Sequence, residues 1–237
     1  MEEDPEDPLP ENVLHLLDPH NKPILITAGT SKMIKPEFYQ VAQEACHMLG
    51  FKAILVTQYD EHVPHPLKDD IHVFDYLPLK QLMPHVRAII HHGGIGTLSE
   101  AVNAGIPQLI LPYFADRPDN AFRLSELGVA EFIPPALWNP SLLSEALVRL
   151  IRPDSITRCM DLSQRARKHN TALMLCETIE SMILNSEYLM QGKFTGWDEG
   201  LLEADNKKNN TMDTSQLTAE KKQLIAQLLR KKVSLEK

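Results

Sequence analysis

Positive charge is missing from the first 21 residues, which hold seven acidic side chains and no lysine or arginine. Such a leader is the opposite of a signal or transit peptide, so a cytoplasmic location is expected. Long apolar runs are missing too, since no stretch approaches the roughly 18 to 20 uninterrupted apolar residues of a membrane-spanning helix. Cysteine is limited to Cys46, Cys159 and Cys176, too few and too scattered for a disulfide framework or a zinc site. Each lies in an apolar helical pattern and reads as a reduced core thiol. A basic excess is also lacking: 24 Lys and Arg stand against 32 Asp and Glu, for a net charge of −8. A nucleic-acid binder normally clusters basic residues to neutralise phosphates, so that class is set aside, and any anion must be held by local chemistry.

What is present is a regular alternation of short apolar runs and helical patterns beginning at "KPILITAGTSKM". Ile24 to Ala28, Lys52 to Val56, Ile71 to Tyr76, Ala88 to His92, Gln108 to Pro112 and a weaker Ala130 to Ile133 are short runs rich in β-branched residues. Continuous runs of this kind suit strands covered on both faces of a parallel sheet. Helices are predicted over Pro36 to Leu49, Leu79 to Met83, Thr97 to Ala104, Pro118 to Leu127, Pro140 to Leu150 and Ser155 to Leu184. Gly50, Gly105 and Gly128 close helical patterns where a left-handed residue is wanted. Strand and helix alternate, which predicts a doubly wound α/β sheet. Four segments follow: an acidic leader or linker over 1–21, the α/β domain over 22–185, an irregular polar linker over 186–216, and an amphipathic helix over 217–232. That last helix gathers Leu217, Leu224, Ile225, Leu228 and Leu229 on one face and is basic on the other.

The densest chemistry lies in "IIHHGGIGTLSEAVNAGIPQLILPYFADRPDN", residues 89–120. Ligands of open α/β sheets bind at the carboxyl ends of strands, where helix N-termini present unpaired N–H groups. Gly93, Gly94 and Gly96 let the chain turn and approach a ligand closely, and Thr97 is placed to cap the following helix or to donate to an anion. A pyrophosphate fits such a turn, although glycines also serve any tight strand-to-helix connection. A Walker loop is excluded because no G-K-[ST] follows. A dinucleotide fingerprint stays open, with Gly94 and Gly96 as G-x-G and Asp116 about 20 residues on, but Ser99 stands at the third glycine and several β-α units precede the motif. Pro118 at the first helical position and Asp119 in the first turn mark a helix start in "DRPDN".

"HHGGIGTLSEAVNAGIPQLILPYFADRPDNAFRLSELGV" resembles the donor-binding signature of GT-B glycosyltransferases of the family-1 UDP-glycosyltransferase type. His92, Gly93, Gly94, Gly96, Thr97, Glu100, Gly105, Pro107, Asp116, Asn120 and Ala121 match that signature in order and spacing. "ILITAGTSKM" resembles the first strand and loop of the C-terminal domain of that family, and "FDYLPLKQLMPHVRAIIHH" its base-binding strand. The resemblance covers about Leu9 to Leu184 and implies a Rossmann-like sheet, the C-terminal half of GT-B. It implies that His92 meets the α-phosphate, that the Gly94 to Thr97 amides and Gly29, Thr30 and Ser31 surround the diphosphate, and that Glu100 accepts from ribose hydroxyls and Asp116 from sugar hydroxyls. Tyr76 stands where relatives stack a Trp on the base, with Leu77 offering backbone hydrogen bonds. His91 is expected on the other side of the sheet as a structural residue. The substrate implied is a nucleotide sugar, UDP- or TDP-linked, with no cofactor and no metal. Arg117 departs from the glutamine of the signature and places a cation there, meeting a phosphate, a charged sugar or Asp119.

The acceptor-binding half of a GT-B enzyme and its general base find no match, and the remaining histidines His15, His20, His47, His62, His65, His72, His85 and His169 read as surface or helix residues. Two readings follow. In one, the chain is the donor-binding half of a glycosyltransferase, working with an acceptor-domain subunit or a missing N-terminal domain. In the other, it is a non-catalytic nucleotide-sugar-binding module that docks on an assembly through Leu217 to Lys232. "LTAEKKQLIAQLLRKK" loosely resembles the helical lead-in of nonribosomal peptide synthetase condensation modules, and the same helix could instead cap an exposed face of the sheet.

Overall fold

In the computed structural model, residues 8–168 and 174–179 are described, and the apolar runs form six parallel strands. They are β1 (Ile24–Thr27), β2 (Ala53–Val56), β3 (Ile71–Phe74), β4 (Ala88–His91), β5 (Gln108–Ile110) and β6 (Ala130–Phe132). The helices are α1 (Glu11–Leu14), α2 (Glu37–Met48), α3 (Leu79–Leu82), α4 (Ile95–Ala104), α5 (Arg117–Glu126), α6 (Pro140–Leu150) and α7 (Pro153–Arg167). Residues 174–179 are also helical. The sequence predicted a helix through Leu184. Here α7 ends at Arg167, and the rest of that prediction, like the linker and the 217–232 helix, lies outside the described residues apart from Lys168 and 174–179.

The sheet order is β3-β2-β1-β4-β5-β6, with every pairing parallel. Strand residues alternate between two cores, as a pleat with period two requires. Ile24, Ile26, Leu55 and Ile90 face one cluster with Phe38, Tyr39, Leu143 and Leu147. Leu25, Ile54 and Ile89 face the other, with Val13, Leu82 and Ala101. Both faces are therefore dry, which is why the strands read as continuous apolar runs rather than as an alternation. Burying one such side chain contributes about 1.5 to 3 kcal/mol. Val13 and Leu16 also pack in the second cluster, so the segment before β1 adds to this core.

Helix boundaries follow local chemistry. Asn139 caps α6 by accepting from the Ser141 and Leu142 amides, with Pro140 at the first position. Gly50, Gly105 and Gly128 have φ near +70° and follow α2, α4 and α5, as predicted. Two corrections concern helix starts. Gly94 is the N-cap of α4, so Thr97 is the third helical residue and does not cap. Asp116 is the N-cap of α5, which makes Arg117 the first residue and Pro118 the second.

The order reverses between β1 and β4. From β1 the chain moves outward through β2 to β3, then returns to β4 on the other side. The connections leaving the carboxyl ends of β1 and β4 thus diverge to opposite faces and leave a crevice between them.

Candidate functional site

The β1 connection carries Gly29, Thr30 and Ser31, and the β4 connection carries His92, Gly93 and Gly94. Two tyrosines fix the first of these. Tyr39 from α2 accepts from the Ala28 amide at 3.1 Å and donates to the Val56 carbonyl at 3.4 Å, tying together the ends of β1 and β2. Tyr59 donates to the Thr30 carbonyl at 3.2 Å, and Lys32 pairs with Glu61. The sequence did not single out either tyrosine, because each acts across a loop that only the fold closes.

His91 and His92 part as expected. His91 is fully buried, its Nε2 3.0 Å from Gln108 Oε1 and its Nδ1 accepting from the Gly93 amide, so it shapes the turn. His92 is 7 % exposed. Its Cε1–Nε2 edge lies against two glycines: a Cβ on Gly94 would stand 2.5 Å from Nε2, and one on Gly29 would stand 3.2 Å from Cε1 and 3.7 Å from Thr97 Oγ1. Its Nδ1 is buried and meets no partner among the described residues. An imidazole is thus set at the N-terminus of α4, where free amides and the helix dipole favour negative charge.

The β5 connection completes the crevice. Ala115 has φ 61°, a left-handed conformation that costs a residue with a side chain about 1 kcal/mol. It redirects the chain into α5, whose first turn reaches back. Asn120 donates to the Gly93 carbonyl at 3.0 Å and to Asp116 at 2.8 Å, pinning the glycine turn and the exposed Asp116 carboxylate together. Arg117 lies 4.4 Å over the Phe114 ring and donates weakly to Ser31 Oγ at 3.4 Å, which links the β5 and β1 connections. The alternative partner Asp119 pairs instead with Arg123 at 2.7 Å.

The structure therefore gathers Gly29, Thr30, Ser31, His92, Gly93, Gly94, Thr97, Asp116, Arg117 and Asn120 around one crevice. Glu100 and Gly96 are on α4 one turn apart, and Glu100 is half-buried with no hydrogen bond or ion pair among the described residues. Tyr76 and Leu77 lie past β3, three strand positions from β4, or about 14 Å across the sheet. The Tyr76 side chain is 64 % exposed, whereas that of Leu77 is in the core.

Two other expectations are corrected. Of the surface or helix alternatives, His62 closes a short helical turn but is buried and stacked on Tyr39, with Nδ1 unpartnered among the described residues, and burial lowers its pKa. Cys46 and Cys159 are core thiols, but Cys176 is exposed.

Burial, then the nearby Arg117 charge, pushes the His92 pKa down to about 4, against an opposing pull from Asp116. Burial and its neighbour His92 push His91 down to about 3, against the Gln108 hydrogen bond. Both folded values lie below the unfolded value of about 6.5, so the unfolded chain binds more protons between them. Their stabilising contribution is full above pH 6.5 and is lost as pH falls toward 4 for His92 and 3 for His91. Urea unfolding at pH 7.5, 6, 5 and 4.5 should show a falling unfolding free energy. His92→Gln should reduce the slope below pH 6 by about one proton, or about 1.4 kcal/mol per pH unit. An unchanged slope would mean that His92 titrates normally.

Among the described residues, no helix is long and apolar enough to cross a membrane. The Gly-rich turn follows β4 and not β1, whereas the dinucleotide fingerprint occupies the first β-α turn, so the NAD alternative loses its structural context. Comparison with known proteins agrees with the glycosyltransferase resemblance. The family described as erythromycin biosynthesis protein CIII-like, C-terminal domain, matches residues 52–173. The 10-deoxymethynolide desosaminyltransferase of Streptomyces venezuelae is 39 % identical over 82 residues, covering 35 % of this chain and 19 % of the relative. The vancomycin aglycone glucosyltransferase of Amycolatopsis orientalis is 30 % identical over 168 residues, covering 71 % of this chain and 41 % of the relative. Among solved structures, glycosyltransferase VinC in complex with DTDP superposes with a TM-score of 0.55 at 26 % identity, over 66 % of this chain and 39 % of that one. The chain spans less than half the length of each of these three proteins. A single six-stranded Rossmann-like sheet, the family match over 52–173 and these glycosyltransferase neighbours lead to one assignment: the chain belongs to the erythromycin biosynthesis protein CIII-like C-terminal domain family, the donor-binding C-terminal domain of GT-B glycosyltransferases.

Proposed function

We propose that the crevice between β1 and β4 holds a nucleoside diphosphate sugar, UDP- or TDP-linked, as the donor for transfer to a hydroxyl acceptor. The observation that carries the reading is the His92 imidazole, buried at the N-terminus of α4 with glycines at its Cε1–Nε2 edge. There a diphosphate receives hydrogen bonds from the ring and from the amides of the first turn, and it gains the favourable end of the helix dipole. Binding an anion favours the imidazolium, so the depressed pKa of His92 rises as donor binds. Glu100 and Asp116 supply acceptors for ribose and sugar hydroxyls, which carry donors and no charge. Stabilising the departing diphosphate by His92 and two helix N-termini is the share of transfer that this domain provides, and no metal is part of the proposal. Deprotonating the acceptor requires a general base within hydrogen-bond reach, and that group is proposed to come from an acceptor-binding domain or partner subunit.

Calorimetry on the purified chain with UDP, TDP, GDP and NAD tests the reading. One pyrimidine diphosphate should bind in preference to GDP and NAD, with no sugar transfer by the chain alone. Glu100→Ala should weaken that binding by about 1 to 3 kcal/mol without lowering the thermal midpoint, since the carboxylate has no partner within the described fold. Silence with all four ligands would remove the donor site, and full affinity in Glu100→Ala would remove the ribose assignment.

A further inference from the structure

The arginine at the mouth of α5 is badly placed for a purely structural role. Arg117 is the first residue of a ten-residue helix, where the dipole disfavours a cation. Its Nη1 is buried and finds no acceptor among the described residues, and its one side-chain hydrogen bond, to Ser31 Oγ at 3.4 Å, is long. Of the carboxylates nearby, Asp116 attracts the guanidinium without bonding to it and accepts from Asn120, while Asp119 pairs with Arg123. Among the described residues Arg117 makes no ion pair. The Phe114 ring beneath it, 4.4 Å away, fixes the guanidinium plane. A planar, half-buried fork with an unused N–H, placed beside a second unpartnered ring nitrogen on His92, is a receptor for oxyanions.

We infer that Arg117 holds an anionic oxygen group of the donor beyond its first phosphate, either the second phosphate or a carboxylate on the sugar. The inference rests on the donor reading above and deepens it. The position supports the outer placement, because the guanidinium bridges the β5 and β1 connections at Ser31, whereas the His92 ring lies inward against Gly94. A guanidinium matches either group with two parallel hydrogen bonds, which an ammonium does not.

The test is calorimetry of the wild type, Arg117→Gln and Arg117→Lys with UMP, UDP, UDP-glucose and UDP-glucuronate, or with thymidine nucleotides if the wild type prefers thymine. Loss of tenfold or more for UDP and UDP-glucose in Arg117→Gln, with UMP unchanged, places the guanidinium on the second phosphate. Loss of tenfold or more for the glucuronate donor alone, with the wild type preferring it over the glucose donor, places it on a sugar carboxylate. In either case Arg117→Lys should recover only part of the affinity. Equal affinity of wild type and Arg117→Gln for all four ligands overturns the inference and leaves Arg117 as a brace between loops. So does an equal loss across all four, UMP included, or a loss accompanied by a large fall in the thermal midpoint. Wild-type silence with every nucleotide is a different failure, because it removes the donor site itself and the inference with it.

Discussion

Gly94→Ala should lose nucleotide affinity by about 10- to 100-fold while the domain stays folded. The backbone at Gly94 has φ −67° and ψ 140°, which an alanine adopts without strain. The whole conflict falls on one side chain. The new methyl would stand 2.5 Å from His92 Nε2, 2.9 Å from Cε1 and 3.5 Å from Cδ2, so the imidazole must leave its position. Nothing in the fold depends on that position through a hydrogen bond, since Nδ1 has no partner among the described residues. The thermal midpoint should therefore move by only a few degrees, while the ring's contact with phosphate under the proposed reading is lost. Gly96→Ala is the companion measurement. A Cβ at Gly96 meets no atom within 4 Å, so the fold gives no reason for glycine there, and alanine is the better helix former. If the open space before α4 is filled by ligand, Gly96→Ala also weakens binding with no loss of stability. Wild-type affinity in both variants would show that donor does not approach this helix end.

The sequence discloses whatever depends on neighbours in the chain. The strands were legible because burial on both faces leaves uninterrupted runs such as "ILIT" and "AIIH". The ends of α2, α4 and α5 were legible because Gly50, Gly105 and Gly128 carry the left-handed residue. That His91 turns away as a structural residue followed from strand alternation, and the role expected of His92 came from the resemblance. What was not legible depends on contacts that the fold creates. Tyr39 and Tyr59 brace the β1 connection from positions 11 and 29 residues away from the groups they hold. His62 read as a surface or helix residue because the Tyr39 ring that stacks on it, unlike the nearby Tyr59 edge, comes from a part of the chain the sequence does not place there. Thr97 read as a cap or as a donor to an anion, and the first alternative fails because the turn is wound tightly enough for α4 to begin at Ile95. Arg117 was visible as an odd residue in the signature, but its conflict with the α5 dipole appears only once Asp116 is known to be the N-cap. The strained Ala115 had no signal at all, since alanine does not advertise a positive φ.

Gly93→Ala should have the opposite signature to Gly94→Ala, a large loss of stability whether or not ligand is present. Gly93 has φ +90°, outside the range that a side chain tolerates cheaply. Its added Cβ would also stand 3.0 Å from Ile110 Cγ2 and 3.2 Å from both the Cβ and the carbonyl oxygen of Arg117. None of these neighbours is a free end. Ile110 is fully buried in β5, and the Arg117 carbonyl belongs to the first turn of α5. Relief would require moving β5 from α5, or breaking the bonds that Gly93 makes at both ends: its amide to His91 Nδ1 and its carbonyl from Asn120. Backbone strain of about 1 kcal/mol plus overpacking of 1 to 3 kcal/mol gives a loss of about 3 kcal/mol, or a midpoint lowered by about 10 °C. Thermal unfolding followed by circular dichroism measures it directly. A midpoint within 2 °C of wild type would mean that the turn between β4 and α4 is softer than its hydrogen bonds imply, and that it is not the rigid seat which the neighbouring His92 needs if it is to hold a diphosphate.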